Sequence, residues 1–533
     1  MQKSNPQLDV LVVGAGFAGM YMLHKLREIG LSARVFEAGS DVGGTWYWNR
    51  YPGARCDVES VEYCYEFSDE LVQQWDWSER YASQPEILNY ANHVADRFDL
   101  RGDIEFDCRI ASAHFDEELC HWTLTTTDGR QYQAQYCIFA TGCLSVPIKP
   151  DIQGLESFAG AVHYTGEWPH EKVDFSGRRV GVIGTGSSGI QLIPLIAQSA
   201  QRLTVFQRSA TYTVPAKNEP LEPTMREAVK ADYPAFRERS RESGYIFGAR
   251  FPANSGFAKT LTASEQQYFL QQYWDMGGLF FLRAFGDMQL DVSANEIAQD
   301  FVRAKIREMV TDPVTASKLC PDSIIGCKRL CADTGYYETY NRSNVELVDI
   351  KAAPIRHVSA TGVHTAENEY PLDMLIFATG FDAMTGALDR IEICGRDGQH
   401  LRQNWQAGPS TLLGVQTAGF PNLFMITGPG SPSVLSNMIQ SIEQNVEWVT
   451  NLLFWMREQK HQVAEAMPEN QASWMEYVAS MVEPTLYSKC VSWYRGANID
   501  GKPQVFSPLV GYVAYVEHCD NVAAAGYPGF KFN

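Results

Sequence analysis

The stretch LDVLVVGAGFAGMYMLHKL, residues 8–26, opens as an apolar run, breaks at Gly14, Gly16 and Gly19, and continues with a helical pattern. Strand, glycine turn and helix in that order begin a dinucleotide-binding βαβ unit. The turn needs positive φ and lets the backbone approach a pyrophosphate more closely than a Cβ would allow. The helix N-terminus then presents N–H groups and a positive dipole end to the phosphates. The next strand, ARVFEAG (33–39), places Glu37 at its tip. The pattern recurs 170 residues later as RVGVIGTGSSGIQLIPLI (179–196), with Gly184, Gly186 and Gly189, and the strand LTVFQRS (203–209) follows. That second strand ends in Arg208, not an acid. A carboxylate at this tip accepts hydrogen bonds from ribose hydroxyls, whereas an arginine accommodates a 2′-phosphate. The expected fold is therefore α/β, with two Rossmann-like dinucleotide-binding domains, the first for FAD and the second for NADPH.

With 533 residues, 45% hydrophobic and 20% charged, the chain has room for two to four domains. A net charge of −19 argues against a nucleic-acid partner and against an anionic membrane surface. The opening MQKSNPQLDVLVV has no charged segment ahead of its apolar run and no cleavage site, and a cytoplasmic location is expected. Twelve cysteines in so long a chain are not a disulfide scaffold, and all are expected to be buried or inert thiols. No CxxC occurs, which excludes the redox cysteine pair of dithiol reductases, and no CxxC…HxxxH or HExxH metal pattern is present.

Two short strands ending in Ala-Thr-Gly, QYCIFATG to residue 142 and LDMLIFATG to residue 380, mark where the chain passes between modules. The expected division is 1–145 and 381–533 for the FAD-binding domain, 146–216 and 329–380 for the NADP-binding domain, and 217–328 as a helical insertion. In the insertion, Ser293 and Glu296 read as a capping box ahead of Ile297, Phe301, Val302 and Ile306. A second helix is expected from about Ser436, with Ile439, Ile442, Val446, Val449, Leu453 and Met456 on one stripe.

Residues 44–57 read GTWYWNRYPGARCD, and residues 158–168 read FAGAVHYTGEW. With the paired glycine turns, these resemble the type I Baeyer–Villiger monooxygenases over essentially the whole chain. The first segment fits the family pattern G-x-W-x4-[FY]-P-G-x3-D at Gly44, Trp46, Tyr51, Pro52, Gly53 and Asp57. The second departs from F-x-G-x3-H-x3-W: Phe158, Gly160 and Trp168 fit, but Tyr164 holds the histidine position and His163 lies one residue earlier. In an extended segment that shift turns the imidazole to the opposite face.

The resemblance implies an FAD- and NADPH-dependent enzyme that converts a ketone and O2 to an ester or lactone, with sulfoxidation as a side activity. It implies Arg329, oriented by Asp57, as the fixed cation beside an anionic flavin C4a-peroxide. Gly44, Thr45, Trp46 and Met438 are implied at the cofactors, Ser209 and Lys328 beside Arg208 at the 2′-phosphate, and Trp493 at the nicotinamide. The loop TGPGSPSVLSNM (427–438) resembles that of phenylacetone and steroid monooxygenases, which points to Ser433, Val434 and Leu435 as pocket lining and to bulky, cyclic or aryl ketones. Two other readings stand: a flavin monooxygenase oxygenating nitrogen or sulfur, and a nucleotide-binding redox sensor without turnover. Monomer and homodimer are both open. Arg208→Ala is expected to weaken NADPH strongly and NADH hardly at all in steady-state kinetics with the two cofactors; equal weakening would move the 2′-phosphate site elsewhere.

Overall fold

A computed structural model of the chain describes residues 8–243, 248–251 and 253–533. Residues 1–7, which hold most of the N-terminal stretch read above, and residues 244–247 and 252 of the expected insertion lie outside them. Two sheets organise the described residues. In the first, Leu8–Val13 runs parallel to Ala33–Phe36 on one side and to Gln131–Phe139 on the other. Val10, Leu11 and Val12 are fully buried, as expected of a parallel strand covered on both faces. The same sheet extends through the antiparallel strands His121–Thr126 and Ile110–Asp116 to Glu392–Cys394 at its edge. Leu423–Met425 pairs alongside Gln131–Phe139, so late sequence returns to the sheet that early sequence began.

The second sheet has five strands, all parallel, in the order Val345–Asp349, Arg202–Gln207, Arg179–Ile183, Met374–Phe377 and Ala161–Tyr164. The two glycine turns are built alike. Gly14 has φ +103° and Gly184 φ +111°, and a Cβ there would lie 2.6 Å from Ala140 O and 2.3 Å from Ala378 O. Each Ala-Thr-Gly segment is thus the backbone wall behind one turn. The repeat in the sequence is a repeat in space.

Between the paired strands Thr213–Pro215 and Cys331–Asp333 the chain is largely helical, from Pro223–Ala231 through Val292–Met309 to Pro313–Leu319. The expected capping box at Ser293 is not how Val292–Met309 starts. Asp291 is the cap, and its carboxylate accepts from Ser293 N and Ala294 N. A carboxylate two residues earlier outcompetes the serine for the free N–H groups. The capping box of this region is Thr262 with Glu265. The later helix runs Met438–Gln459 from an Asn437 cap, and its stripe from Ile439 to Met456 is buried. It packs on the first helix, Phe17–Glu28, where Tyr21 OH donates to Glu447 at 2.7 Å. No helix among the described residues is long and apolar enough to cross a membrane.

Tyr164 and His163 lie on a strand, opposite Phe377 and Ile376, and so face opposite ways. Tyr164 stacks on Phe377 with centroids 5.0 Å apart, whereas His163 turns to Trp168 at 5.3 Å.

The two glycines of the second turn should respond differently to one added methyl group. Gly184→Ala meets a backbone carbonyl and a forbidden φ, so a loss of about 1–3 kcal/mol is expected. At Gly186 an added Cβ would meet nothing within 4 Å. Thermal unfolding of the cofactor-free proteins should therefore show a lowered Tm for the first variant and an unchanged one for the second.

Candidate active site

The first turn and the 44–57 segment form one surface. Gly43 N donates to Ala15 O, and a Cβ on Gly44 would lie 2.8 Å from Gly16 Cα. Glu37 is buried, and its two carboxylate oxygens accept from Ala15 N at 2.8 Å and Gly39 N at 2.7 Å. Burial pushes its pKa above the ordinary carboxylate range, against the pull of those two N–H groups. The acid is thereby locked at the strand tip beside the turn. The helix Phe17–Glu28 begins at Gly16 with no side-chain cap, and Ser187–Ser199 begins the same way at Gly186. Their first N–H groups are free for phosphate oxygens. The open space at Gly186 and the close contact of Gly44 with Gly16 fit a dinucleotide at each turn. Thr45 is exposed, whereas Trp46 is buried and donates its indole N–H to Tyr63 OH at 3.2 Å.

At the second turn, Arg208 and Ser209 are exposed at the end of their strand, and Thr185 OH donates to Ser209 O at 3.1 Å. Lys328 is half-buried close by. Burial and then the positive charge of Arg208 lower its pKa. Two cations held this close to one another suit a doubly charged anion such as a 2′-phosphate.

Arg329 and Asp57, 272 residues apart in sequence, meet in a bidentate pair. Arg329 Nε donates to Asp57 Oδ2 and an Nη to Oδ1, each at 2.7 Å. The other Nη donates to Val434 O at 2.8 Å. Although burial opposes the charge, Asp57 holds the Arg329 pKa above its ordinary value. The side chains keep 21% and 26% exposure, so the pair faces an open side and is not sealed in the core. Val434 sits in an apolar cluster with Cys143, Met384, Tyr494 and Phe506, against which Leu435, Met438 and Trp493 pack. Ser433 is buried with φ 46°, which bends the loop so that the Val434 carbonyl turns toward the guanidinium.

Three features here were not expected from the sequence. The Val434 carbonyl is a backbone atom and leaves no residue-type signal. Tyr494, beside Trp493, lies near enough to the Arg329 charge to respond to it. The expectation that all twelve cysteines are free thiols is corrected: Cys327 and Cys490 form a disulfide with Cα atoms 5.4 Å apart. Their separation of 163 residues carried no spacing signature, because tertiary folding alone makes them neighbours. The bond ties the segment of Lys328 and Arg329 to the segment of Trp493.

Comparison with known proteins shows the family. The family model described as pyridine nucleotide-disulphide oxidoreductase matches residues 11–235. A phenazine N-monooxygenase from Lysobacter antibioticus is 43% identical over 98% of this chain and 96% of its own length. A cyclohexanone 1,2-monooxygenase from an Acinetobacter species is 40% identical, with coverage of 98% and 96%. Among solved structures, an oxidized steroid monooxygenase bound to NADP superposes with a TM-score of 0.94 at 49% identity, covering 99% of both chains. The chain belongs to the Baeyer–Villiger monooxygenases, flavoprotein enzymes that use FAD and NADPH.

Proposed function

We propose that this enzyme converts bulky, cyclic or aryl ketones to esters or lactones, and that Arg329, held by Asp57, is its catalytic cation. The observation that carries this reading is the three-point hold on the guanidinium. Arginine offers five N–H donors. Asp57 takes two and the Val434 carbonyl one, which leaves two for the open side of the pair. When bound, FAD reduced by NADPH supplies the activation of O2.

Arg329 then provides a charge that cannot be lost and donors already aimed, so little reorganisation is needed as negative charge develops on oxygen. Asp57 fixes the plane of that guanidinium through charge-assisted hydrogen bonds. Val434, Leu435, Met438 and Trp493 supply an apolar wall that excludes water, with Ser433 shaping the loop. Gly14, Gly16, Gly19, Glu37, Gly44, Thr45 and Trp46 would hold FAD. Gly184, Gly186, Gly189, Arg208, Ser209, Lys328 and Trp493 would hold NADPH. The strand pairings support a FAD domain of 1–145 and 381–533, an NADP domain of 146–216 and 329–380, and an insertion of 217–328.

Similarity to the steroid monooxygenase favours large ketones. One observation favours a second reading: the phenazine N-monooxygenase is a full-length relative at 43% identity. Oxygenation of an aromatic nitrogen can use a protonated, electrophilic oxygen donor, which needs no stabilised anion.

Arg329→Ala separates the two. Under the ketone reading it lowers ester formation at least about a hundredfold, the usual loss when one oxyanion donor is removed. NADPH should still bleach the flavin. Gas chromatography of phenylacetone, cyclic-ketone and steroid-ketone incubations, run beside a peroxide assay, reads both. Little ester from the wild type, with oxygenation of a phenazine or thioether that Arg329→Ala leaves unchanged, would favour the heteroatom reading. Tyr164→His removes a stack on Phe377 and no group at the Arg329 pair, so ester formation should stay within tenfold, about 1.4 kcal/mol in barrier. A thousandfold change would give Tyr164 a direct part in turnover.

A further inference from the structure

The far edge of the first sheet carries a side-chain cluster that the oxygenation chemistry does not use. Glu392–Cys394 is the edge strand, parallel to Ile110–Asp116, with Glu392 opposite Ser112, Ile393 opposite Ala113 and Cys394 opposite His114. Alternation sends Ile393 and Ala113 into the core, 2% and 0% exposed. Glu392, Cys394 and His114 are left together on the other face. The turn Arg396–Gly398, with Asp397 at φ 53°, brings the chain back so that His400 bridges Cys394 from the opposite side. Cys394 therefore has an imidazole on each flank.

Three of these residues lie close enough together to share one ion, and His400 adjoins the sulfur. His400 Nδ1 lies 3.2 Å from Cys394 Sγ, and His114 Nε2 lies 3.8 Å from Glu392 Oε1. Ligand atoms of His114, Glu392 and Cys394 all fall within 4.8 Å of one another. Donors bound at 2.0–2.3 Å around a tetrahedral ion sit about 3.3–3.7 Å apart, so binding would draw these side chains together by about 1 Å. Arg396, on the same turn, is engaged by Glu465 and Glu117 and does not compete as the counter-charge.

We propose that His114, Glu392 and Cys394, joined by His400 from beside the thiol, form a site for a zinc-class divalent cation, separate from the flavin and nicotinamide sites. Two imidazoles, one thiol sulfur and one carboxylate form a borderline-soft set that suits Zn2+ or Co2+ and not Mg2+ or Ca2+. On binding, the sulfur–metal bond forms as the thiol proton passes to solvent, with no change in oxidation state. A bound ion would join the edge strand, its neighbour and the returning turn at one point.

The test uses the full-length, FAD-loaded enzyme after treatment with a chelator and its removal. Zn2+ retained after gel filtration is measured by mass spectrometry, and affinity by competition with a chromophoric chelator. One equivalent should be retained in the presence of excess Mg2+. Cys394→Ser and His114→Ala should each weaken binding at least tenfold while leaving the flavin spectrum unchanged. With Co2+, the wild type should show intense tetrahedral d–d bands to the red of the flavin absorption, and Cys394→Ser should lose them. No retention by the wild type, displacement by Mg2+, or equal retention in the variants would overturn the proposal.

Discussion

A half-buried charge needs partners on its protein side, and Arg329 has three bonds from two distant parts of the chain. Asp57 comes from the segment that follows the first glycine turn, and Val434 from a loop nearly four hundred residues further on. Breaking such a pair leaves an uncompensated charge, so the fold is obliged to bring residues near 57, 329 and 434 to one point. Much of the topology serves that requirement. The first sheet takes strands from both ends of the sequence, and the second sheet and the helical insertion occupy the sequence between them.

The second theme is duplication with reversed charge. Both turns use a left-handed glycine backed by an Ala-Thr-Gly carbonyl wall, so one local solution to strand–helix packing appears twice. What distinguishes the copies is one residue at the next strand tip. Glu37 is buried and tied down by backbone N–H groups; Arg208 is exposed and raises the local positive potential felt by Lys328. The same framework thus presents a carboxylate at one turn and a pair of cations at the other.

Most of the core architecture was legible because it depends on local residue types: glycines that must adopt positive φ, unbroken apolar strands, and charges at their tips. The approach of Arg329 to Asp57 was legible only through resemblance, since neither residue in isolation signals a partner 272 positions away. The cap at Asp291 was missed because serine and aspartate stand two residues apart and both can accept the same N–H groups. The Val434 carbonyl and the Cys327–Cys490 bond were not legible at all. One is main chain, and the other needs two segments to fold side by side before any proximity exists.

That bond has a topological consequence. Cleavage of the backbone anywhere between residues 327 and 490 would produce two polypeptides still joined through sulfur. The guanidinium at 329 and the aromatic pair at 493 and 494 would stay tethered in a nicked molecule, and only a thiol reductant would let the pieces part.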